Sequence, residues 1–115
     1  KHNIEIGSHS VSHPILSRTT ASVMTKELTE SKRTLEKVTG QPVDLLAYPV
    51  GGESHFSAEV IRVAKEAGYA FGVSYVHGPN RPEDMDPFRV RRHTVERHMT
   101  RERFEAQLCL PDVFT

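Results

Sequence analysis

Hydrophobic positions along the chain follow two periods in alternation. Ile4 and Ile6 alternate with Asn3, Glu5 and Gly7, the two-residue period of a strand that ends at the glycine. Across residues 20–39 the period lengthens: Met24, Leu28, Leu35 and Val38 fall at helical spacing, and Ser31 fills the same face. The stripe leaves Lys32 on the solvent side. Gly40 and Pro42 stop this helix, since glycine takes the left-handed cap and proline cannot continue the hydrogen-bond ladder. Residues 43–48 read as a short buried strand entering a Pro-Val-Gly-Gly loop. A second helix over 57–67 buries Val60, Ile61, Val63, Ala64 and Ala67, with Gly68 as its cap. Residues 69–76 are a third strand, rich in aromatic and β-branched side chains. Turn residues crowd 77–87, and Phe88, Val90 and Val95 mark a fourth strand over 88–95. Thr100 caps a last helix that runs to Leu108 and carries Phe104 and Leu108.

Strands separated by helices predict an α/β fold built from parallel βαβ units, with functional loops at the carboxyl ends of the strands. The chemistry-bearing stretches fall there: the first histidine loop follows strand one, the Pro-Val-Gly-Gly loop strand two, and the 77–87 loop strand three. Four strands with three helices make a thin layer for a parallel sheet, which needs both faces covered. The expectation is therefore part of a larger barrel or sheet.

Composition narrows the classes. The chain has 115 residues, 37% of them hydrophobic, and its 15 basic residues balance its 15 acidic ones. One globular domain or part of one fits this length. Zero formal charge gives no overall pull toward nucleic acid or an anionic membrane. Seven arginines lie between residues 81 and 103, but five interleaved acidic residues offset most of them. No apolar run approaches the roughly 18 residues of a membrane span, and no signal-peptide pattern is present. The single cysteine, Cys109, has no partner for an internal disulfide.

Candidate chemistry centres on Gly-Ser-His-Ser-Val-Ser-His-Pro at residues 7–14. His9 and His13 would share one face of a helix. Pro14, however, disfavours helical backbone at His13, and the glycine and serines favour a turn. Two neutral imidazoles on one turn can converge on a single metal ion. Two solvated histidines on a polar loop are the alternative that spacing alone leaves open.

The longer pattern carries a family likeness. "EIGSHSVSHPILS", a helix containing "ELTESKRTLEKVTG", then "LLAYPVGG" and "AKEAGYAFGVSY" closely resemble the polysaccharide deacetylase family, also called the NodB homology domain or carbohydrate esterase family four. The resemblance implies an irregular (β/α) barrel of the NodB type, with its N-terminal strands outside this chain. Residues 1–115 would then form the C-terminal portion of a single deacetylase-like domain. It implies removal of N-acetyl groups from a polysaccharide by metal-activated water, the metal being zinc foremost, with cobalt, manganese or nickel as alternatives.

Site roles follow from the same likeness. His9 and His13 would be two metal ligands. The family's third ligand and its general base are aspartates of a Phe-Asp-Asp type motif. The aspartates here, Asp44, Asp84, Asp86 and Asp112, stand in no such context, so both are expected upstream of Lys1. Val50 would supply a backbone N–H to the oxyanion, and because that donor is main chain, valine can serve. Tyr48 and Pro49 are candidate substrate contacts of the same motif, although the pattern alone reads Tyr48 and Phe71 as core. Ala47 stands where the family carries an arginine that supports the base, and Arg91 or Arg92 are the possible substitutes. The family's Leu-x-x-His acid motif is absent, leaving His93, with His98 near it, as the acid candidate; His55 and His77 read as surface loop residues. The implied partner is an N-acetylated polysaccharide or oligosaccharide, and the implied setting the cell envelope or outside. Self-association is a further expectation, because a cut barrel exposes a strand edge. A non-catalytic carbohydrate-binding relative with a decayed metal site is the alternative that Ala47 and the absent aspartates would fit.

Overall fold

The computed structural model describes residues 3–114. Its elements in chain order are α1 (Ala21–Thr39), β1 (Leu45–Ala47), α2 (Ala58–Glu66), β2 (Phe71–Val73) and α3 (Arg101–Cys109), with 3-10 turns at Leu16–Arg18, Glu53–His55 and Pro111–Phe114. β1 and β2 pair in parallel, Leu46 opposite Gly72. A single parallel bridge joins Ser8 to Leu46 on one side, and another joins Val73 to Val90 on the other. Four extended segments thus run in one direction in the order 8, β1, β2, 90, and their carboxyl ends share one edge. This is the predicted α/β architecture with shorter strands. No helix among the described residues is long and apolar enough to cross a membrane.

The helix caps form as their residue types require. The Thr20 hydroxyl accepts from the Val23 N–H, Ser57 from Val60 and Thr100 from Arg103, each satisfying a helix-end donor that has no partner in its own ladder. Gly40 closes α1 in the left-handed region at φ 66°. Against the sheet, α1 buries Met24, Leu28 and Ser31, and α2 buries Val60, Ile61, Val63 and Ala64. These join Leu16, Val43, Leu46, Tyr48, Phe56, Tyr69 and Phe88 in one core, with Leu35 and Ala67 partly buried against it. The polar Ser31 is tolerated there because its hydroxyl donates to the Leu28 carbonyl and accepts from Ser8.

Four expectations are corrected. Residues 3–7 form no strand: only Ser8 engages β1, its N–H donating to Leu45 and its carbonyl accepting from Ala47. Ile4 and Ile6 have the right period, but nothing among the described residues covers their face, and Ile4 is 75% exposed. Val38, in the last turn of α1, is 78% exposed. On α3 the inward residue is Gln107, whose side-chain amide donates to the Thr94 carbonyl, while Phe104 and Leu108 are exposed. Lys32 is not a free surface cation: its ammonium donates to the Val43 carbonyl at 2.5 Å and pairs with Glu36 at 3.0 Å.

The α1 register makes a direct prediction. Leu28 is fully buried, so Leu28→Ala should lower unfolding stability by about 2–5 kcal/mol through lost burial and a cavity. Val38→Ala should change it by less than about 0.5 kcal/mol, as for surface sites generally. Paired denaturant melts check both; equal costs would place the helix in the wrong phase.

Candidate active site

Two loops at the carboxyl edge of the sheet carry every non-glycine residue with positive φ among those described: Ser10 (65°) and His13 (60°) on the first, Val50 (63°) on the second. Such backbone is uphill by about 1–3 kcal/mol and persists only where surrounding contacts enforce it, and it clusters at functional sites. Pro14 disfavours the ordinary helical region at His13, but its usual alternative is extended backbone, so the left-handed turn is set by contacts within the loop. The His13 N–H is then held by the Ser10 hydroxyl at 3.1 Å.

The structure brings His9 and His13 together, ring centroids 4.7 Å apart and nearly edge to face. Both residues are exposed. The Nδ1 of His9 lies 2.8 Å from the Ala47 carbonyl oxygen, an acceptor only, so Nδ1 carries the proton and Nε2 presents a lone pair. Metal-ligating histidines typically show this arrangement, one ring nitrogen donating to a carbonyl or carboxylate to fix the tautomer. Ala47 thereby has a use its side chain does not suggest.

Glu27 of α1 grips the loop between the two histidines. Its Oε2 accepts the Val11 and Ser12 N–H groups at 2.8 and 2.9 Å, and its Oε1 accepts the Ser12 hydroxyl at 2.6 Å. Burial works against its ionisation, but the Ser12 hydroxyl and the Ser12 and Val11 N–H donors outweigh that and hold the carboxyl below its usual range. On the second loop, His55 Nδ1 accepts the Gly52 N–H at 3.0 Å, and the Gly51 carbonyl accepts the Tyr75 N–H at 2.7 Å. The Val50 N–H is taken up by no hydrogen bond among the described residues.

Other predicted site residues are placed differently. Tyr48 and Pro49 are fully buried, so neither side chain can touch a substrate. Tyr48 stacks on Phe56 at 4.6 Å and its hydroxyl donates to the Phe88 carbonyl, while burial pushes the phenol above its ordinary range. Phe71, read as core, is 41% exposed. His93 packs edge-on against His77 at 4.9 Å, with its Nδ1 buried and without a partner among the described residues. Arg92 donates to the Ser74 carbonyl at 2.6 Å. Among the described residues no group of three His, Cys, Asp or Glu side chains is placed to hold a metal. Three of the four aspartates are engaged elsewhere: Asp44 beside Lys32, Asp86 on the Phe88 N–H, Asp112 on Arg81. Among the described residues, the first loop thus brings two imidazoles together without a third side chain of this kind.

Sequence pattern did not reveal Glu27, and it marked Ser31 only as part of the α1 face and His55 only as a loop residue. The available signal was positional: Glu27 flanks the apolar stripe one residue before Leu28, where a carboxylate can reach past the core to a loop.

The chain is similar in sequence and fold to known proteins. The chain is 30% identical to YxkH of Bacillus subtilis over 74 residues, 64% of this chain and 25% of that protein. Its fold matches the Streptococcus pyogenes deacetylase PplD, solved in complex with acetate, at TM-score 0.77 and 25% identity over 86% of this chain and 42% of that one. It matches BC0361, a polysaccharide deacetylase from Bacillus cereus, at TM-score 0.75 and 27% identity, covering 90% and 32%. The chain thus spans less than half the length of each. The sequence model of polysaccharide deacetylases matches residues 1–72, which take in the histidine loop, α1, β1 and the Val50 loop, and on that match the chain belongs to the polysaccharide deacetylase family.

Proposed function

We propose that this chain forms the histidine-bearing part of a metal-dependent deacetylase that hydrolyses N-acetyl groups on a polysaccharide. The observation that carries the reading is the His9–Ala47 hydrogen bond, which fixes one tautomer and leaves Nε2 of His9 free beside the His13 ring. Solvated loop histidines have no need of a fixed tautomer. Bound by His9 and His13, a divalent ion such as zinc supplies Lewis-acid polarisation of the acetamide carbonyl and lowers the pKa of a water toward neutrality.

The residues of the chain have the remaining tasks. Val50, strained and with its N–H unclaimed, donates to the oxygen that becomes negative as the carbonyl is attacked. His93, whose Nδ1 is buried without a partner among the described residues, is the candidate proton donor to the leaving amine. The base and the third ligand come from carboxylates outside these residues, since Glu27, the carboxylate at the histidine loop, is engaged by Val11 and Ser12 and no group of three ligands forms among the described residues. Acetate, the product of such a hydrolysis, is what the PplD structure holds. One feature favours a second reading, a non-catalytic carbohydrate-binding relative: Ala47 stands where the family's base-supporting arginine would be.

Acetate release from N-acetylated chito-oligosaccharides separates these readings. The 115 residues alone should release none. A longer protein that carries a Phe-Asp-Asp type motif ahead of them should release acetate, and chelation should stop it. Oligosaccharide binding without hydrolysis by the longer protein would favour the non-catalytic relative. Hydrolysis by the short chain would overturn the placement of base and third ligand.

A further inference from the structure

His9 has a ring anchor in Ala47, whereas His13 depends on its backbone for position. What sets one ring against the other is the arc of residues 10–12, and that arc is held almost entirely by one helix. Glu27 takes three donors of the arc on its two carboxylate oxygens. One turn further along α1, Ser31 accepts the Ser8 hydroxyl at 2.8 Å, and Ser8 Oγ in turn accepts the Ser10 N–H at 3.3 Å. Ser10 and His13, at the ends of the gripped segment, are both in the strained left-handed region. A loop with two uphill residues relaxes unless its contacts forbid it. Charge-assisted hydrogen bonds to an ionised carboxylate, roughly twice as strong as neutral ones, are suited to forbid it. Three of the roughly four acceptor sites of the Glu27 carboxylate are thus taken by the loop.

We infer that Glu27 is the positioning residue for the His9–His13 pair, setting the separation of the two rings by clamping the backbone between them. The inference rests on the reading of those histidines as metal ligands, and its test keeps the two apart.

Zinc chloride titrated into the isotopically labelled full chain, followed through the ring resonances of His9 and His13, reads affinity without any need for activity. Hydrogen exchange at the Val11 and Ser12 amides reads the clamp without any metal. Glu27→Ala should abolish protection of both amides and weaken zinc about 10- to 100-fold, the usual cost of losing a residue that orients a ligand. Glu27→Gln, which keeps one carbonyl acceptor and loses the charge, should fall between Glu27→Ala and the natural chain. Glu30→Ala, exposed on the same helix, should change neither readout and controls for helix stability. A purely structural role would lower the melting temperature of Glu27→Ala while leaving zinc affinity within about twofold. That result, with His9→Ala still abolishing binding, would overturn the inference. Should zinc leave both histidine rings unmoved in the natural chain, the ligand reading fails instead. The amides then decide the clamp, unchanged protection in Glu27→Ala refuting it and lost protection supporting it.

Discussion

Replacing His9 or His13 by alanine, in a longer protein that also carries the base and third ligand, removes zinc and acetate release together. A catalytic zinc commonly has three protein ligands and one open position, so each substitution leaves two, and two bind weakly. The loss should exceed the 10- to 100-fold typical of an outer partner, so on the order of 100-fold or more in affinity, with activity following at limiting metal. His55→Ala is the matched control. His55 also lies on a loop at this edge, but its Nδ1 is spent on the Gly52 N–H, and its removal should leave zinc content unchanged. Metal analysis by mass spectrometry after dialysis gives the answer; equal loss from all three variants would sink the ligand assignment.

Gly72→Ala should be among the most damaging substitutions in the chain for stability. A methyl group at Gly72 would overlap the Tyr48 hydroxyl and crowd its ring. That ring cannot step aside: it is fully buried, stacked on Phe56 and hydrogen-bonded through its hydroxyl to the Phe88 carbonyl. Accommodating the methyl means expelling Tyr48, a loss comparable to deleting a buried aromatic, about 3–5 kcal/mol. Small domains hold only about 5–15 kcal/mol in all. Gly40→Ala separates sterics from backbone strain, because Gly40 has the positive φ but nothing within 4 Å of the added carbon. It should cost about 1–2 kcal/mol, the price of a left-handed L-residue. Similar costs for the two would show that Tyr48 is free to move.

Periodicity carried the fold where burial is one-sided and continuous. Met24 and Leu28 face the sheet as their spacing requires, and the α2 stripe from Val60 to Ala64 is buried as read. It misled where the covering partner is absent or polar. Ile4 and Ile6 alternate over an uncovered face, Val38 in the last turn of α1 is exposed, and Gln107 turns inward onto the Thr94 carbonyl. A period reports which side chains share a face, not what lies opposite.

The site was legible to the extent that it is local. His9, His13 and Pro14 lie within one short loop, and the clash of proline with helical backbone is readable from adjacent letters. The supports of that loop come from 15 to 38 residues away: Glu27 for the arc, Ala47 through its main chain for His9. A main-chain acceptor leaves no trace in residue identity. Tyr48 shows the converse error: it lies in the motif between Ala47 and Val50, yet its side chain is fully buried in the core, stacked on Phe56.

The central claim, that His9 and His13 hold a metal with His9 bonding through Nε2, is tested most directly by diffraction at the zinc absorption edge from zinc-loaded crystals. The account predicts an anomalous peak about 2.0–2.1 Å from His9 Nε2 and from one ring nitrogen of His13, with His9 Nδ1 still on the Ala47 carbonyl. A peak bonded to His9 Nδ1, or one only at the His77–His93 pair with none at the first loop, would contradict it.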